Sequence, residues 1–150
     1  MTTPVLFLLM RNDLDSMNCG KAIAQGSHAS NAFVHEYHAF MQKVNGNSKK
    51  YDMAHVEELN HAFTEWENST EQGFGTVLVL EGKYKNIKNT VDTLDDFGYI
   101  SGMVFDPTYP ILDGESIHHI PLETCGFVFV TDKEKDAKAK QFLGEYELHS

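Results

Sequence analysis

The run VLFLLM (Val5–Met10) contains no polar side chain. A half-exposed strand alternates apolar and polar residues, so an unbroken run of this length predicts a strand buried on both faces. It is far short of the roughly 20 apolar residues a membrane-spanning helix requires. It also lacks a basic leader and a small-residue cleavage site, so nothing in it suggests targeting. A strand covered above and below needs helices on either side, and the rest of the chain supplies the patterns for them.

After the turn-like stretch RNDLDSMN (Arg11–Asn18), the pattern from about Gly20 to Val44 is helical. Ala22, Gly26, Ala29, Phe33, Tyr37, Phe40 and Val44 recur at steps of three or four and define its buried face. NGNSKK (Asn45–Lys50) breaks the pattern, and Met53, Val56, Leu59, Phe63 and Trp66 mark a second helix. TVLVLEG (Thr76–Gly82) reads as a strand. Ile87, Val91, Leu94 and Phe97 mark a third helix closed by Gly98. Further strands are expected at Ile100–Pro107, ended by Pro107, and at Thr124–Asp132. A short charged helix in KEKDAKAKQFLG and a closing strand YELH complete the chain. Thr108–Glu123 reads as a long structureless loop, the kind usually reserved for function.

The order βααβαββαβ predicts an α/β sandwich: a mixed, mostly parallel sheet of four to five strands flanked by helices, in one domain spanning 1–150. The chain has 150 residues, 41% of them hydrophobic and 23% charged, which suits a single globular core. Two cysteines, Cys19 and Cys125, make a disulfide framework improbable and point to a reducing, cytoplasmic compartment. A net charge of −10 argues against broad, non-specific nucleic-acid binding.

Lys21, Gln25 and His28 share one stripe of the first helix through the spacing i, i+4, i+7, and that stripe is polar where a buried helix is apolar. Lys21 follows the first strand, at the sheet edge where open α/β folds bind ligands. Asp106 reaches the same edge if its strand runs parallel to the first, and Thr124 does so if the next strand returns antiparallel. An ammonium, a carboxylate and a hydroxyl then converge beside a helix N-terminus, where an oxyanion or phosphate is stabilised. Eight histidines occur, but none stands in a metal-ligand spacing; His118 and His119 are adjacent, and no metal is expected. Nucleophile elbows, P-loops and dinucleotide fingerprints are absent from the sequence.

RNDLDSMNCGKAIAQGSHAS resembles the signature of the type 2 (archaeal and eukaryotic-type) peptidyl-tRNA hydrolases: arginine–x–aspartate–leucine, methionine–x–x–glycine–lysine, then alanine–glutamine–x–x–histidine–alanine. Trp66, the strand in GFGTVLVLEG, and DKEKDAKAKQFLGEYELHS with Gly144 are similar to later parts of the same family. The resemblance implies the family's three-layer fold and hydrolysis of the ester joining a peptide to the terminal ribose of a tRNA, with no cofactor. It implies Lys21, Asp106 and Thr124 as catalytic residues, Gln25 and His28 as substrate-binding residues, and tRNA as the partner. No membrane partner is implied, and a homodimer is compatible with it. Two positions depart from the family pattern. Pro110 stands where a threonine is typical, leaving Thr108 or Tyr109 as the nearby hydroxyls. Thr124 aligns only after about six extra residues, in the segment carrying His118 and His119. A non-catalytic module binding an RNA end or a protein is the alternative reading.

Overall fold

A computed structural model describes residues 3–149. Its elements are β1 (Val5–Arg11), α1 (Cys19–Gly46), a single 3₁₀ turn (Ser48–Lys50), α2 (Met53–Glu67), β2 (Val77–Gly82), α3 (Tyr84–Asp96), β3 (Ser101–Asp113), β4 (Ser116–Val130), α4 (Ala137–Leu143) and β5 (Glu147–Leu148). Five strands form one mixed sheet in the order β3-β4-β1-β2-β5.

β1 lies near the centre of the sheet, and its side chains divide between two cores. Leu6, Leu8 and Met10 join Ala29, Phe33 and Tyr37 of α1 and Leu59, Phe63 and Trp66 of α2 on one face. Val5, Phe7 and Leu9 join Ile87, Val91 and Leu94 of α3 and Leu143 of α4 on the other. This division is the physical content of the unbroken apolar run. Each such side chain contributes about 1.5–3 kcal/mol when withdrawn from water. Aromatic contacts set the α1–α2 layer: the Phe33 ring stacks on Phe129 at 4.7 Å between centroids, and Tyr37 stacks on Phe63 at 3.8 Å.

The sheet is mixed, as its sequence predicts, but its parallel share is small. Among the described residues only β1–β2 pairs parallel; β1–β4, β3–β4 and β2–β5 are antiparallel. Because β4 opposes both β1 and β3, those two strands point the same way, and their carboxyl ends share an edge with that of β2.

The structureless loop expected at Thr108–Glu123 is instead a β-hairpin, and Pro107 does not end its strand. β3 continues to Asp113, and β4 begins at Ser116 rather than at Thr124. Tyr109 pairs with Ile120, Pro110 with His119 and Leu112 with Ile117, with a register shift between Asp106 and Tyr109. β3 is the edge strand, where proline's missing N–H costs no ladder bond on the solvent side. Pro121 lies beyond Cys125, the β4 partner of Met10, so this stretch of β4 has β3 as its only neighbour. Gly114 turns the hairpin with φ 63°, a conformation that favours glycine. The hairpin therefore projects past the sheet as a two-stranded arm, and Asp106 sits at its root.

Candidate active site

α1 starts where Asn18 caps it, the Asn18 side chain accepting the Lys21 backbone N–H at 2.9 Å. The cap fixes the first turn and so the direction of the Lys21 side chain, which runs toward the arm. Lys21 Nζ donates to the Pro110 carbonyl at 2.7 Å and stands 5.1 Å from the centre of the Tyr109 ring. Tyr109 is fully buried, and its hydroxyl lies 3.2 Å from Ser16 Oγ. The arm's root is thus clasped to the loop before α1.

One helical turn later Gln25 points the same way and carries two hydrogen bonds. Its Nε2 donates to Asp106 Oδ2 at 2.7 Å, and its Oε1 accepts the Thr124 hydroxyl at 2.6 Å. A carboxylate only accepts, so the amide's NH₂ must face Asp106 and its oxygen must face Thr124. The result is a directed chain, Thr124 to Gln25 to Asp106, crossing from β4 through α1 to β3. Gln25 and Thr124 are both buried.

Asp106 collects further donors. Its Oδ1 accepts the Thr108 backbone N–H at 2.9 Å and lies 3.4 Å from the Thr108 hydroxyl. Partial burial pushes the carboxyl up. The Gln25 and Thr108 hydrogen bonds, with the charge of His28, outweigh that effect and hold it below its ordinary value. Of the two hydroxyls near Pro110, that of Thr108 lies beside this carboxylate and that of Tyr109 faces Ser16.

The structure therefore brings Lys21, Gln25, Asp106 and Thr124 to one flank of α1, with His28 exposed a turn beyond and acting on Asp106 through its charge. Within that group Asp106 is bonded to Gln25 and Thr108, while the hydrogen bond of Lys21 goes to the Pro110 carbonyl. Thr124 has no exposed surface, and its hydroxyl is committed to Gln25.

Sequence reasoning missed a second layer behind this chain. Arg11 Nε donates to Asp13 Oδ1 at 2.8 Å, and Arg11 Nη1 donates to the Glu123 carbonyl at 3.0 Å. The guanidinium lies 4.6 Å from the centre of the Tyr84 ring, and the Tyr84 hydroxyl donates to Glu123 Oε1 at 2.5 Å. The Tyr84 N–H completes the cluster on Asp13 Oδ2 at 3.0 Å. These contacts anchor β4 immediately before Thr124. An arginine closing an apolar strand, with an aspartate two residues on, is the sequence signal for them.

On the opposite flank of the α1 N-terminus lies a cleft of about 740 Å³ between α1 and the carboxyl ends of β1 and β2. Among the described residues, no group of three or more His, Cys, Asp or Glu is placed to hold a metal ion. None of the described helices is long and apolar enough to cross a membrane.

A family model described as peptidyl-tRNA hydrolase PTH2 matches residues 5–108. The matched segment contains Lys21, Gln25, His28 and Asp106, and it ends before Pro110, the arm's turn and Thr124. No curated protein matches the chain.

Proposed function

The chain belongs to the peptidyl-tRNA hydrolase PTH2 family, and on that premise we propose that it hydrolyses the ester joining a peptide, or an N-blocked aminoacyl group, to the terminal ribose of a tRNA. The observation that carries this reading is the directed hydrogen-bond chain Thr124–Gln25–Asp106 lying beside Lys21 at the start of α1.

Water attacks the ester carbonyl carbon, and the bond from that carbon to the ribose oxygen breaks. The acyl group leaves as a carboxylic acid, and the ribose oxygen takes up the proton that the water gives. Lys21, with the positive end of the α1 dipole, stabilises the negative charge on the carbonyl oxygen in the transition state. The ammonium exchanges the Pro110 carbonyl for that oxygen. Asp106 is ionised at neutral pH and has lone pairs beyond those used by Gln25 and Thr108, so it accepts a hydrogen bond from the attacking water and orients it. Gln25 and Thr124 are positioning residues: both are buried, and they act by holding Asp106. His28, exposed one turn beyond Gln25, lines the side from which the tRNA end enters.

Release of free tRNA from an N-acetylated aminoacyl-tRNA tests the reading directly. Removing one oxyanion donor costs about 10²–10³ in rate, so Lys21→Ala is expected to lose that much with its fold intact. Unchanged turnover in that variant rejects the role of Lys21. The absence of a hydroxyl at Pro110 favours the rival reading of a module that binds an RNA end or a protein; retention of the tRNA without release by the wild-type protein would establish that reading instead.

A further inference from the structure

We propose that the cleft on the far flank of the α1 N-terminus is an acyl-group site, which takes an apolar side chain of the substrate's peptide moiety. This inference rests on the hydrolase reading and adds a substrate preference to it. The cleft's volume of about 740 Å³ falls in the range of sites for small ligands. Its walls include Met10, Met17, Ala22, Ile23 and Val79.

Three observations indicate what the cleft accepts. Its one Lys or Arg is Arg11, whose guanidinium is committed to Asp13 and the Glu123 carbonyl, and its rim carries the Glu81 carboxylate. No unengaged Lys or Arg is left among the lining residues to pair with a phosphate, so with the Glu81 carboxylate at the rim an apolar group is favoured over the RNA.

Gly26 also lines the cleft, in the interior of a 28-residue helix, where glycine costs about 1 kcal/mol relative to alanine. Its φ is not positive, and a Cβ there would meet only Leu8 Cδ1, at an ordinary 3.7 Å. Neither backbone nor neighbours require the glycine, and its missing side chain enlarges the cleft.

The cleft begins within one helical turn of Lys21, since Asn18, Cys19 and Ala22 line it. Met17, in its wall, places its sulfur 3.9 Å from the Tyr109 hydroxyl, and Lys21 lies over the Tyr109 ring. Met17, half-buried in the wall with Met10 behind the surface, gives an adaptable lining for side chains of different shape. An ester carbonyl at Lys21 then has the ribose on the Asp106 side of α1 and the acyl side chain on the cleft side.

The probes are N-acetyl-leucinamide and N-acetylglycinamide, added to full-length protein carrying ¹³C-methyl methionine and followed by NMR. N-acetyl-leucinamide is expected to shift the Met10 and Met17 methyl signals, and N-acetylglycinamide to leave them in place. Gly26→Leu, which fills the cleft, is expected to abolish the shifts; Ile23→Ser, at the 69% exposed lip where folding is indifferent, is expected to weaken them. In hydrolysis, the wild type is expected to show a KM about tenfold lower for N-acetyl-leucyl-tRNA than for N-acetylglycyl-tRNA, with Gly26→Leu bringing the two together.

Methyl signals indifferent to N-acetyl-leucinamide at millimolar concentration, or shifts that survive Gly26→Leu, overturn the assignment. Methyl shifts without tRNA release would reject the hydrolase reading and leave the apolar site standing. Release of tRNA without shifts or a leucyl preference would do the reverse.

Discussion

Thr124 donates its hydroxyl to Gln25 Oε1 at 2.6 Å, and both side chains are buried. The Asp106 carboxylate fixes the direction of the chain, and this bond holds the Gln25 amide in it. Thr124→Val removes the donor and leaves a buried amide oxygen unpaired, at a cost of about 1–3 kcal/mol. Misplacement of a positioned group by about 1 Å can cost on the order of 10² in rate. Thr124→Val is therefore expected to lose about that much in kcat and to unfold at lower urea. Thr124→Ser, which keeps the donor, is expected to recover most of the activity. Equal kcat in the two variants would show that the hydroxyl does not orient Gln25.

The depressed Asp106 carboxyl dictates a pH dependence. A carboxyl whose folded pKa lies below its unfolded value contributes stability that is present above the unfolded value and is lost as pH falls through the folded one. If the carboxylate form orients the water, the acid limb of kcat should lie below the ordinary aspartate value of about 4. Activity should be flat from there to neutrality as far as this group is concerned. Asp106→Asn should abolish the limb together with most of the turnover. A limb near pH 6 that persists in Asp106→Asn would assign the titration to another group.

The two thiols are expected to differ sharply in reactivity. Cys19 is exposed in the first turn of α1, whereas Cys125 is fully buried beside Thr124. Burial pushes the Cys125 thiol up to about 12, against a smaller opposing effect from the Thr124 hydroxyl. Thiolate is the reactive form, so at pH 8 a colorimetric thiol reagent should titrate one cysteine in the native protein and two in denaturant. Two equivalents reacting without denaturant would show that the β4–α1 interface opens.

Gly75 supports α2 through a close approach. A Cβ at this position would run into both the ring and the backbone carbonyl of Trp66, whose indole Nε1 donates to the Thr76 carbonyl at 2.9 Å. Gly75→Ala is expected to cost about 1–3 kcal/mol by overpacking, read as a lower urea midpoint with little change in slope. A midpoint equal to wild type would mean that the segment entering β2 yields freely.

The sheet and its covering helices were legible because their signals are local. Val5–Met10 displays both buried faces in its composition, and α1 displays its inner face in the spacing from Ala22 to Val44. The stripe Lys21–Gln25–His28 was legible for the same reason. The meeting of Gln25 with Asp106 and Thr124 depends on strands 81 and 99 residues away in sequence, so the stripe named candidates but not their bonds. The arm was concealed by Pro107, which read as a strand terminator, and Pro110 and Pro121 lie within it as well. Proline ends a strand only where its N–H would have been used, and here each lies where a strand has a single neighbour. Asp113–Gly114 carries the hairpin signal in sequence.

β4 runs without interruption from Ser116 at the arm's tip to Val130 in the core, with Thr124 partway along it. Evolution can therefore lengthen or trim the arm at its turn, one residue from each strand at a time, while the Thr124 hydroxyl stays in place. The tip is the part of this scaffold free to diversify, and new contacts with whatever approaches the rim can be tried there at no cost to the chemistry beneath.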